Sequence, residues 1–288
     1  MAVNGVLDLA DARAKLERAR ELHTELDAAT STWIDGGGVE AQSRRSHQFV
    51  CYKGFAKVNA LPSINLALRA GEVLHALRTA LDYTAFQIYV AGGGAPDGNG
   101  AHRVEFPIVD DPAKWDSTVK RKVPGVWPAA VKALRAVQQF KQPPPPSGLP
   151  PIAPLLTRLR ILGGTDKHRN LSLIATGAWS ASAISPAIQP WYTVDIRIYM
   201  PGPLLPLEPG KKVVVSQVAA HPAGPHHHPD DTYTWASGIQ LEKPAPPELK
   251  FGFRANDGTE INTRELPTVI GLVESIVQRF STLPGPPA

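Results

Sequence analysis

The chain has 288 residues, 43% apolar and 19% charged, with 30 Lys and Arg against 26 Asp and Glu and a formal net charge of +4. That length buries a sizeable core as one large domain or two small ones, and the composition excludes a chain disordered throughout. The mild positive charge permits nucleic-acid contact without requiring it, and the single cysteine, Cys51, excludes an intrachain disulfide and a cysteine-based zinc site.

The N-terminal segment lacks the apolar core of a signal peptide. An apolar stripe of Leu9, Ala12, Leu16, Ala19, Leu22 and Leu26 then predicts a first helix over 8–29. Three glycines at 36–38 end it. Residues 47–60 read as strand material, with a hairpin expected around Lys53-Gly54. Pro62-Ser63 offers an N-cap to a long apolar helix over 64–91. A glycine-rich loop at 91–100 and a short extended piece at 104–112 follow. A helix is expected over 127–140, with Pro128 near its first turn. The polyproline run at 141–151 reads as a stiff connector, and a helix is expected over 153–175, with Gly163-Gly164 as its weak point.

Beyond residue 176 the pattern alternates, and strands are expected at 191–200, 211–218, 232–242 and 249–255. A last helix over 264–282 carries its apolar face on Leu266, Ile270, Val273, Ile276, Val277 and Phe280. The fold class that results is α+β. A helical core with one β-hairpin, residues 1–175, is followed by a β-rich antiparallel region with a closing helix, residues 176–288. One continuous domain is an equally good description. The best apolar run is interrupted by His75, Arg78 and Asp82 before it reaches 18 residues, so no membrane span is expected and a cytoplasmic location is the simplest inference.

Those three interruptions are the main chemical clue. At about 100° per residue, His75, Arg78 and Asp82 fall within roughly 60° of one another on the helix. A charge on so apolar a helix needs a partner, because unpaired burial costs several kcal/mol. The expected helix over 153–175 repeats the pattern, its leucine seam running into Asp166 and Arg169 beside Lys167 and His168. If the two helices pack, Arg78 is expected to pair with Asp166, and Asp82 with Arg169. Two readings stand: an ionic network that sets helix register, or a site where a histidine moves a proton and Arg78 steadies a phosphate. The His-rich loop HPAGPHHHPDD at 221–231 reads as a surface loop, so no metal and no cofactor are expected. Residues 114–141 carry seven positive charges against one negative, either a solvated surface or a polyanion-binding face.

The pieces LHALRTALDYTAF and TDKHRNL, with INLALRAGEVLH, FPI and VQQF around them, resemble a family of largely uncharacterised bacterial and phage-associated proteins. That family pairs an LHxLRSALDH-type helix with a later DKHR segment. Arg78 followed by an aromatic residue five positions on is also similar to the Arg-x4-His motif of HEPN-type helical domains, with Tyr83 standing where the histidine would be. This second resemblance implies an RNA-binding protein or metal-independent ribonuclease of phage–host conflict, acting as a homodimer on RNA. Arg78, with His75 or His168 in the histidine's role, would be catalytic; Asp82, Tyr83, Asp166, Lys167 and Arg169 would support it. The alternative is a non-catalytic interaction or structural protein whose Arg/Asp network only stabilises the fold.

Overall fold

The computed structural model describes residues 7–45, 51–62, 65–140, 153–166, 171–178, 186–188, 194–199, 210, 212–222, 239–241 and 248–286. The fold is α+β, with a helix closing the chain. It divides into two compact units, and neither is continuous in sequence. The first comprises Met1–Asp27, Ala67–Leu171 and Arg254–Ala288; the second comprises Ala28–Leu66 and Ser172–Phe253.

The first unit is helical. Helix α1 (Ala10–Asp35) begins in it, burying Ala12, Leu16, Ala19, Leu22 and Leu26, the stripe read from the sequence. Helix α2 (Leu66–Ala91) is buried on most sides, through Ala70, Val73, Leu74, Leu77, Leu81, Ala85 and Ile88 among others. Two short helices follow, α3 (Trp115–Lys122) and α4 (Pro128–Ala136). Helix α5 (Leu155–Asp166) buries Leu156, Leu159 and Leu162. The closing helix α6 (Leu266–Ser281) buries every apolar residue expected of it. A 3-10 turn, Thr263–Glu265, leads into it and is fixed by a capping box. The Asn262 side chain accepts from the Arg264 N–H at 2.9 Å, and Glu265 Oε2 accepts from the Asn262 N–H at 2.8 Å.

In the second unit α1 ends at the three glycines. Gly37 takes φ +72°, and a side chain on Gly38 would run into the Trp33 indole, which sits 2.1 Å from where its Cβ would be. A four-stranded antiparallel sheet has the order β1-β2-β6-β5, with β1 at Val39–Arg45, β2 at Cys51–Val58, β5 at Val194–Tyr199 and β6 at Lys212–Pro222. Strands β3 (Ser172–Ala178) and β8 (Glu248–Arg254) are neighbours in another sheet. The short strands β4 (Pro186–Ile188) and β7 (Ile239–Leu241) pair antiparallel. Strand β9 (Glu260–Asn262) belongs to the first unit.

Two expectations are corrected. Lys53-Gly54 is not a turn: it lies inside β2, opposite Arg44 and Ser43 of β1, and the only irregularity there is a bulge in the pairing of β2 with β6 between Gly54 and Phe55. The hairpin is β1–β2, and its strands join the later strand β6. The helix expected over 153–175 ends at Asp166, after passing through Gly163-Gly164, and the β-branched Ile174 and Thr176 lie in β3. The polyproline run, Ser63 and residues 223–231 of the His-rich segment lie outside the described residues; His221 and Pro222, expected in a loop, are the last residues of β6 and pair with Asp195 and Val194 of β5.

Candidate functional site

Between α2 and α3 the first unit contains a buried extended stretch, with Val104, Phe106, Ile108 and Val109 closed to solvent. It belongs to no sheet, so no ladder satisfies its peptide groups, and an unpaired buried peptide group costs about as much as a lost hydrogen bond. Side chains take the place of the ladder. The Phe106 N–H donates to Asp82 Oδ1 at 2.8 Å, and the Phe106 carbonyl accepts from Arg78 Nη2 at 2.9 Å. Further along, Gln138 Nε2 donates to the carbonyls of Pro107 and Leu134, each at 2.9 Å, while Gln138 Oε1 accepts from the Val109 N–H at 3.0 Å. Next to the stretch, the Asp110 carboxylate accepts from the Thr157 hydroxyl and from Arg160 Nη2, the latter at 2.8 Å. Residues from α2 and α5, with Gln138 just beyond α4, thus clamp one buried strap.

Arg78 and Asp82 also pair with each other. Arg78 Nη2 lies 2.9 Å from Asp82 Oδ1, one helical turn on, and 3.8 Å from Glu105, which itself pairs with Lys122. Burial pushes the Asp82 carboxyl above its ordinary range; the Arg78 charge and the Phe106 N–H pull it back, Glu105 adds to the rise and Lys122 opposes it. Arg78 is only 9% exposed, and its Nη1 has no hydrogen-bond partner among the described residues. Helix α5 lies close to α2 here: a Cβ on Gly163 would sit 3.9 Å from the Arg78 Cβ, in ordinary contact.

A second pair joins a buried arginine to a half-exposed carboxylate. Arg158 of α5 reaches Glu265 with both terminal nitrogens, at 2.7 and 3.3 Å, and donates to the Glu260 carbonyl at 3.2 Å. Burial alone would raise the Glu265 carboxyl, but the Arg158 hydrogen bond, the Asn262 N–H and the Arg158 charge outweigh it and hold the group below its usual range. The sequence signal for this pair was a single arginine, Arg158, within the leucine seam Leu155, Leu159, Leu162. For Gln138 the signal was Pro107: an extended, proline-containing apolar stretch among helices needs side-chain partners for its backbone.

The structure brings together Arg78 and Asp82 of the sequence candidates. His75 and Tyr83 lie on the exposed side of α2, Tyr83 at 37% exposure, and no hydrogen bond or ion pair joins either to Arg78 among the described residues. The Asp166 side chain and residues Lys167, His168 and Arg169 lie outside the described residues, and so do the expected pairs Arg78–Asp166 and Asp82–Arg169. Among the described residues, no group of three or more His, Cys, Asp or Glu is placed to hold a metal ion, and no helix is long and apolar enough to cross a membrane. Comparisons with protein-family models, with curated proteins and with solved structures return no match.

Proposed function

We propose that the Arg78–Asp82 pair is a structural clamp and that the protein acts by binding a partner rather than by catalysis. The observation that carries this reading is the pair of hydrogen bonds to the backbone of one residue: Asp82 takes the Phe106 N–H and Arg78 takes the Phe106 carbonyl. An arginine so engaged, 9% exposed, has little surface left for a scissile phosphate. A second reading, the metal-independent ribonuclease that the HEPN resemblance implies, keeps Arg78, His75 and His168 as site residues. What favours it is Arg78 Nη1, which has a proton pair unspent among the described residues.

The test is RNA cleavage by purified protein in EDTA, with Arg78→Ala and His168→Ala beside wild type and thermal unfolding of each. The clamp reading expects no cleavage by any of them. It also expects Arg78→Ala to lose about 3–5 kcal/mol, the usual cost of removing one partner of a buried pair. Cleavage by wild type that disappears in a folded variant would replace this reading with the ribonuclease.

A further inference from the structure

We infer that the outer surface of α3 and α4 binds the phosphodiester backbone of a nucleic acid. The charge excess of residues 114–141 becomes specific once spent cations are separated from unspent ones. Elsewhere in the first unit Arg18, Arg20 and Arg69 pair with glutamates, and Arg78, Arg158 and Arg160 with the carboxylates described above, while the exposed Arg13, Arg103 and Arg279, which no ion pair joins to a carboxylate among the described residues, are scattered over separate segments. Lys122 pairs with Glu105. By contrast Lys114, Lys120, Arg121, Lys132 and Arg135 are exposed, and no ion pair joins them to a carboxylate among the described residues.

Their placement is regular. Helix α3 turns Trp115 and Val119 inward, leaving Lys120 and Arg121 outside. Helix α4 turns Ala130, Ala133 and Leu134 inward, leaving Lys132 and Arg135 outside. At 1.5 Å per helical residue and at most ~3.4 Å per residue of connector, the Cα atoms of the five cations span no more than about 45 Å. The dipole of α3 accounts for cations in its last turn, Lys120 and Arg121, but not for Lys132 within α4 or Lys114 ahead of α3.

The surroundings select the ligand. Among the described residues the exposed large apolar ones are Ile34, Leu61, Leu68 and Tyr83, none of them on α3 or α4. A protein partner would need an apolar centre to its interface, and a membrane-adsorbed helix needs apolar residues to insert. Cations interleaved with Ser117, Ala129 and Ala136 offer neither. They do fit the regularly spaced charges of a nucleic acid, where affinity comes from counterion release.

The inference rests on reading the protein as a binding protein, and the two fail separately: the cleavage assay tests the first, a salt titration the second. Binding of labelled 20-nucleotide oligo(U) and of a DNA strand of equal length is measured from 50 to 400 mM salt. With about five contacts on a single strand, log K is expected to fall with log salt at a slope of about −3.5. The double variants Lys120→Gln/Arg121→Gln and Lys132→Gln/Arg135→Gln should each flatten the slope by about 1.4 and weaken binding about 10–30-fold near 0.1 M salt. All four positions are exposed, so both variants should melt with wild type. Equal binding of RNA and DNA identifies the shared backbone as the ligand, and a preference names which nucleic acid is taken. A slope shallower than −1, wild-type affinity in both double variants, or tighter binding to poly-Glu than to either strand would overturn the inference.

Discussion

Glu265 does two jobs with one carboxylate: it receives Arg158 and closes the capping box at the head of α6. Both depend on its charge, so pH tests it. Its folded value lies below the ordinary glutamate value of 4.5, hence its contribution to stability is present in full above about pH 4.5 and is lost as pH falls through the folded value. Asp82 works in the opposite sense. Its raised folded value means the folded state holds the proton more tightly, so that group favours folding at low pH and loses the advantage as pH rises. Glu265→Gln should therefore lower the melting temperature at pH 7 and flatten its decline between pH 5 and 3; a decline as steep as wild type would remove Glu265 from the acid response. At this scale the sequence was half legible. The need of Arg78 and Asp82 for partners followed from their place in an apolar helix. Their partner did not, because it includes a backbone unit, Phe106, and a peptide group carries no residue-type signal.

Elements were more legible where one face alone is buried. The stripes of α1 and α6 were readable because their apolar residues repeat at the helical period and each is buried. The C-terminal end of residues 153–175 is ambiguous in sequence for the converse reason: a run of Leu, Ile and Ala fits a buried strand as well as a helix. The strap at 104–109 was seen as extended, but its role depends on side chains far away in sequence. The sequence marks Gly163-Gly164 as a weak point of α5, and the structure distinguishes the two. A Cβ at Gly163 would meet its neighbours at ordinary contact distance, 3.9 and 4.0 Å, and at Gly164 or Gly271 of α6 it would meet nothing within 4 Å. Each has helical φ, so alanine there removes the backbone entropy cost of glycine without a clash. Gly164→Ala and Gly271→Ala should each stabilise by about 0.5–1 kcal/mol in denaturant unfolding. Gly163→Ala should gain no more than these, and Gly163→Leu should lose stability, since only a Cβ has been shown to fit beside Arg78. A stabilising Gly163→Leu would mean that α5 and α2 are not closely packed there.

For the molecule as a whole, chain order and spatial grouping differ. The sequence suggests a helical part up to residue 175 and a β-rich part after it, yet each compact unit draws on both sides of that line. The first unit takes α6 from the C-terminal end, and the β1–β2 hairpin pairs with β6 from beyond residue 200. A linear reading finds composition changes, and these do not reveal which distant segments return. The interleaving has an energetic consequence. Helix α6 buries Leu266, Val269, Ile270, Val273, Ile276, Val277 and Phe280. At about 1.5–3 kcal/mol for each buried side chain, their loss removes roughly 10–20 kcal/mol, as much as the entire net stability of an ordinary domain. It also strips Arg158 of Glu265, leaving a buried guanidinium without its carboxylate. A chain cut after residue 175 should therefore show no cooperative thermal transition and no native near-ultraviolet circular dichroism, though its helices are long enough to leave some far-ultraviolet signal. Adding back residues 254–288 as a separate peptide supplies α6 and Glu265 but not β6, so it should restore at most the helical unit. A sharp melt of residues 1–175 alone would show that the helical unit is complete without the chain's return, and the core contribution assigned to α6 would have to be given up.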